Sequence, residues 1–218
     1  MEVTPIDLQS ERIRDSADHP FVVGLTILSE ELRHSVVKVQ DELKREDPHH
    51  IFHPATSFHI TIKPVGSIGT QINERDLGTI MEGFRRVVSK FGGFDISLEG
   101  LGAFSDVVYA RVQTGREQII ELNKKLSDNL RGIVTQGIYE GDAMVPHVTL
   151  TTFTTSDVDS LMTEVRRRES QFIGRMEVKD VAIIKVFLNR YYGNEKERGR
   201  AFEPLETIHL SNRNLRIA

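Results

Sequence analysis

Two short segments, far apart in the chain, carry the same alternation of residue types. His59-Ile60-Thr61-Ile62 follows Phe58, and His147-Val148-Thr149-Leu150 follows Pro146. Successive side chains of an extended strand point to opposite faces. Each segment therefore predicts a strand with His and Thr on one face and two aliphatic residues on the other. The aliphatic face belongs against a core. The other face presents an imidazole and a hydroxyl side by side. A single copy would pass as a half-buried strand with polar residues facing water; two copies ask for a shared use.

The chain around these strands alternates between the two periods of regular structure. Phe21 to Leu28 is a continuous β-branched and aliphatic run, as in a buried strand, and Ser29 is placed to cap a helix bearing Leu32, Val36, Val39 and Leu43 before Pro48. Helical spacing returns at Leu77 to Val88, ending near Gly92-Gly93, and at Ile119 to Leu130, ending at Gly132. Phe94 to Glu99 and Val107 to Val112 read as strands. Ser156 is placed to cap a helix through Val158, Leu161 and Val165, whose end at Arg166-Arg167-Arg168 suits the negative pole of a helix dipole. Gly174 to Val186 reads as one further strand, and the stretch beyond Gly193 has too little periodicity to place. The second half thus repeats the element order of the first. Three divisions follow: a polar N-terminal extension (1–19), one domain (20–190), and a C-terminal extension (191–218) of unassigned structure.

Here the motifs identify a resemblance. The pair of His-x-Thr-x strands resembles the 2H phosphoesterases, and within them the RNA 2′,3′-cyclic phosphodiesterases, also called 2′-5′ RNA ligase-like proteins. The resemblance in element order covers roughly Pro20 to Val186. It implies an α+β, bilobal duplicated fold, with two mainly antiparallel sheets facing a central cleft and helices outside. It also implies that both His-x-Thr faces line that cleft.

The residue types suit this chemistry. Two imidazoles that titrate near neutrality can divide the work of general base and general acid. The resemblance assigns catalysis to His59 and His147, and phosphate binding to Thr61 and Thr149, whose hydroxyls can donate to the non-bridging oxygens. Which histidine is acid and which base stays open. Lys63 shares the Thr61 face by the two-residue rule and is a candidate phosphate contact, although a solvated strand-end lysine fits as well. Phe58 and Tyr109 are candidates for stacking on a nucleobase, or for the core. Branches of the family carry an Arg shortly after the second motif; this chain has Thr151 and Thr152.

The scheme asks for no metal and no cofactor. His49, His50 and His53 match no ligand spacing and read as loop histidines. The chain has no cysteine, which removes disulfides, thiol nucleophiles and zinc–thiolate sites, and fits a reducing cytosol. No apolar run reaches membrane-spanning length, and the first nineteen residues lack the apolar stretch of a secretory signal. A cytoplasmic monomer is expected, with no membrane partner. The net charge of −4 favours a nucleotide or an RNA end over a long duplex track. The expected activity is metal-independent hydrolysis of a 2′,3′-cyclic phosphodiester to a 2′-phosphate. The alternatives are a 2′-5′ oligonucleotide phosphodiesterase or 2′-5′ RNA ligase-like activity, and a non-catalytic module that binds an RNA end or phosphate ligand.

Overall fold

The computed structural model describes residues 2–212. The chain enters through a one-turn helix α1 (Glu11–Arg14) and strand β1 (Phe21–Ile27). It continues through α2 (Glu30–Glu46), β2 (Ile51–Phe52), β3 (His59–Ser67), α3 (Leu77–Val88), β4 (Phe94–Ala103) and β5 (Val107–Val112). There follow α4 (Arg116–Asn129), β6 (His147–Thr152), α5 (Asp159–Arg167), β7 (Phe172–Val178) and β8 (Asp180–Val186). Two one-turn helices, α6 (Leu188–Tyr191) and α7 (Glu195–Arg198), lead into β9 (Phe202–His209).

All strand pairs are antiparallel, in two sheets: β3-β1-β8-β9 and β2-β6-β5-β4-β7. Each sheet is covered by helices on one side. α3 and α4 pack on the four-stranded sheet, and α2 and α5 on the five-stranded one. The coverage is exchanged: α2 leaves the first sheet to cover the second, while α4 does the reverse. Neither lobe has a complete core without chain from the other. The buried stripes fit the expected helical spacing: Leu32, Val36, Val39 and Leu43 on α2, and Ile80, Phe84 and Val88 on α3. Fully burying one such side chain contributes about 1.5–3 kcal/mol. The Ser29 hydroxyl accepts from the Leu32 amide, as its position predicts. Gly24 is needed for a close approach, because a Cβ there would lie 2.3 Å from the Phe84 ring.

Three local expectations need correction. Ser156 caps nothing: α5 starts at Asp159, after Val158. The single strand expected over 174–186 is two strands in different sheets, since β7 pairs with β4 and β8 with β1. No Gly or Pro marks the change of sheet at Lys179, so local punctuation could not reveal it. The stretch after Gly193 supplies β9, which adds an edge to the first sheet. Of the C-terminal extension read from the sequence, residues 213–218 lie outside the described residues. At the other end, the Thr4 amide donates to the Ser105 carbonyl and the Ile6 amide to that of Phe153, docking residues 4–6 against the second lobe.

The face of the first sheet away from its helices has a small core of its own: Val23, Leu25, Ala182, Ile184, Val186, Tyr191 and Ala201. The segment 187–201 packs there and reaches the other sheet, where Arg198 donates to the Phe52 carbonyl at 2.6 Å.

Candidate active site

The two motif strands meet. Residues of β3 and β6 approach within 8 Å between Cα atoms. In both strands the aliphatic partners Ile60, Ile62, Val148 and Leu150 are fully buried, while His59, Thr61, His147 and Thr149 are half-buried. The alternation that defines the motifs thus sets their burial.

The two histidines are held alike. The His59 Nδ1 lies 2.7 Å from the Ser57 carbonyl oxygen, and the His147 Nδ1 lies 2.7 Å from that of Val145. A carbonyl only accepts, so each Nδ1 carries the hydrogen, and each neutral ring keeps a free electron pair on Nε2. Neither threonine hydroxyl is committed to a partner among the described residues.

Their surroundings differ. The Phe202 and His59 rings meet edge to face with their centres 5.4 Å apart. Tyr191 stacks on Phe202 at 5.8 Å and on His53 at 4.5 Å, so the 187–201 segment lines this end of the cleft. Burial pushes His59 down to about 4, partly opposed by its bond to Ser57 and reinforced by the charge of His147. His147 packs against Phe104 at 5.2 Å and Tyr109 at 5.1 Å, and it lines an open cavity of about 840 Å³ with Thr61, Pro64, Phe104, Tyr139 and Met144. Burial lowers its proton affinity too, but the bond to Val145 and the Asp106 carboxylate on the cavity wall act the other way.

Lys63 does not share the Thr61 face. β3 carries one residue more than β1 between the pairs Leu25–Thr61 and Gly24–Lys63. This bulge reverses the alternation beyond Thr61. Lys63 is 1% exposed on the helix side, where its Nζ donates to Glu140 at 2.5 Å. Phe58 is likewise a core residue, 1% exposed, and offers no face to a base. Tyr109 does face the cleft, stacked on Phe104 at 4.4 Å. It fits because Gly102, opposite it on β4, has no Cβ, which would meet the ring at 2.6 Å.

Several residues of the site were not legible in the sequence. Arg111 is the direct cross-strand neighbour of His147 and, two residues from Tyr109, points to the same face. It is half-buried, and no carboxylate pairs with it among the described residues. The strand alternation put Arg111 beside Tyr109, but only the β5–β6 register puts it beside His147. Thr151 donates to the Ile51 carbonyl, and Thr152 bonds the His53 Nε2 at 2.9 Å. His53 does lie in the loop after β2, but it is buried, pushed down to about 3 by burial, Arg198 and His59. Phe104 and Phe202 had no local signal. Among the described residues no group of three or more His, Cys, Asp or Glu is placed to hold a metal. Of the arginine run at the end of α5, Arg167 pairs with Glu164, and Arg168 with Glu164 and Glu42.

Two facing antiparallel sheets, each contributing a His-Thr strand to one cleft, define the class: a 2H phosphoesterase. Within it, the family model described as the 2′-5′ RNA ligase superfamily matches residues 30–186, and the chain belongs to that superfamily. Solved structures share the fold. TT0787 of Thermus thermophilus superposes with a TM-score of 0.67 at 17% identity, over 89% of this chain and 100% of that one. E. coli LigT, crystallised with 3′-AMP, gives 0.65 at 16% identity, over 88% and 98%. A conserved protein of unknown function from Agrobacterium tumefaciens gives 0.54 at 12% identity, over 78% and 82%. No helix among the described residues is long and apolar enough to cross a membrane.

Proposed function

We propose that the protein hydrolyses a 2′,3′-cyclic phosphodiester, on a nucleotide or an RNA end, to a 2′-phosphate, using His59 as general base and His147 as general acid. The observation that carries this is the pair of imidazoles, each held by a carbonyl on Nδ1 with Nε2 free, flanked by uncommitted Thr61 and Thr149 hydroxyls. The nucleotide ligand in LigT supports it as an analogy of fold.

The division of labour follows from the surroundings. The cavity opens on the His147 side, so the nucleoside lies there and presents its 3′ oxygen to His147. In-line attack brings water from the opposite, His59 side. The water proton passes to the His59 Nε2, the new P–O bond forms, the P–O3′ bond breaks, and the His147 proton passes to O3′. The Thr61 and Thr149 hydroxyls, with Arg111, take the charge on the non-bridging oxygens. Asp106 beside His147 and burial around His59 push the two proton affinities apart in the required order.

The test is incubation with 2′,3′-cyclic nucleotides in the presence of a chelator, followed by identification of the phosphate position. A 2′-phosphate product is expected. A 3′-phosphate, or tight binding without turnover, sinks the proposal.

A further inference from the structure

Beneath the cleft lies a buried ion pair that the scheme above does not use. Lys63 and Glu140 are 1% and 4% exposed at the side chain, and they join β3 to the loop that precedes β6. Glu140 is also the hub of that loop. Its Oε2 accepts from the Asn123 side-chain amide at 3.1 Å and the Ser127 hydroxyl at 3.3 Å, and its Oε1 from the Gly137 amide at 2.6 Å. Asn123 closes the circuit: its Nδ2 also donates to the Ile62 carbonyl, next to Thr61, and its Oδ1 accepts from the Gly141 amide. Beyond Gly141 the loop forms the cavity wall through Met144 and ends at Val145, whose carbonyl holds the His147 Nδ1.

We propose that the Lys63–Glu140 pair is a positioning device, which fixes the Val145 carbonyl, and so the His147 ring, relative to Thr61. It rests on the two-histidine reading of the site. The physical ground is the cost of the arrangement. A buried ion pair adds little net stability over apolar side chains of similar size, whereas removing one partner strands a charge. Stability alone gives no reason for a buried lysine on the motif strand, bonded to a carboxylate with three further donors. A requirement for one fixed loop geometry does.

The test uses the full chain, with Glu140→Gln, Lys63→Met, and the double variant Lys63→Met/Glu140→Met, which replaces the pair by apolar side chains. Thermal unfolding reports folding; kcat and KM are measured on a 2′,3′-cyclic nucleotide; the His147 and His59 C2–H resonances are titrated by NMR. His147 also faces Asp106, His59 and Arg111, all left intact in these variants. The expected result is a roughly ten-fold lower kcat with KM changed less than three-fold. The His147 titration should move further down as its Val145 bond loosens, while His59, held by Ser57, stays in place. The double variant should regain thermal stability without regaining kcat. If it regains both, or if folded single variants keep kcat and the His147 titration, the pair is merely structural. The NMR arm reads out without turnover, so an inactive wild type sinks the proposed activity and leaves this inference to stand or fall alone. If the single variants do not fold, the double variant decides by the same two readings.

Discussion

The two motif strands start from the same four-residue pattern and end in different places. β3 is an edge strand of the four-stranded sheet, and its histidine sits against Phe202, with Tyr191 and His53 behind, in a corner lined by chain from the C-terminal side. β6 is an inner strand of the five-stranded sheet, and its histidine stands at the wall of an open cavity beside a carboxylate. Local geometry is repeated closely, down to the bond from Nδ1 to the carbonyl two residues earlier. The duplication therefore supplies two equivalent proton carriers. What surrounds them makes them unequal, and the proposed division into base and acid rests on that inequality.

The largest expected effect tests whether both are needed. His59→Ala and His147→Ala should each lower kcat by about 10²–10⁴-fold, the usual worth of general acid–base catalysis. A cyclic substrate with sulfur in place of the 3′ oxygen has a leaving group that needs no proton. On it His147→Ala should recover most of its loss and His59→Ala none; the opposite pattern reverses the assignment. Thr61→Val and Thr149→Val should follow, at about 10²-fold each in kcat, the lower end of what one donor to a developing oxyanion contributes.

The pH profile sharpens the comparison further. Both histidines are pushed below 6.5, His59 to about 4, so the proton that His147 must hold is lost on the acid side of neutrality. The kcat/KM profile should be a bell with its maximum below pH 6.5, lower than two unperturbed imidazoles predict. A maximum above pH 7 contradicts this electrostatic picture. Phe202→Ala should lessen the burial of His59 and raise its titration towards 6.5 while leaving His147 nearly unmoved, as read by NMR. Equal movement of both would show that the two ends of the cleft are not separate environments.

The smallest effect is on stability. His53 and His59 are held neutral in the folded protein, at about 3 and about 4, against 6.5 when unfolded. Above pH 6.5 neither state binds the proton, so they add no pH dependence there. As pH falls below 6.5 the unfolded chain takes up protons that the folded one refuses, and stability drops towards pH 4 and then pH 3. His53→Gln should flatten part of that slope, seen as a smaller loss of urea midpoint between pH 7 and pH 4.5. An unchanged slope would show that His53 is charged when folded.

Much of this was written in the local pattern of residues. A period of two residues puts His with Thr and Ile with Ile, because a strand leaves no other choice, and both motif strands and their buried faces follow from it. The longer helices α2, α3 and α4 announce themselves by spacing and by their ends. Locality also marks where legibility stops. The bulge after Thr61 moved Lys63 from the cleft to the core; Pro64 beside it is a local hint, but the pairing with β1 decides where the extra residue falls, since a bulge is a property of two paired strands. Arg111 became a neighbour of His147 only through the β5–β6 register, and Phe202 reached His59 from a stretch without periodicity. The sequence by itself determined which atoms are able to carry protons. The tertiary structure decided what surrounds them, because burial, charge and access are set by segments distant along the chain.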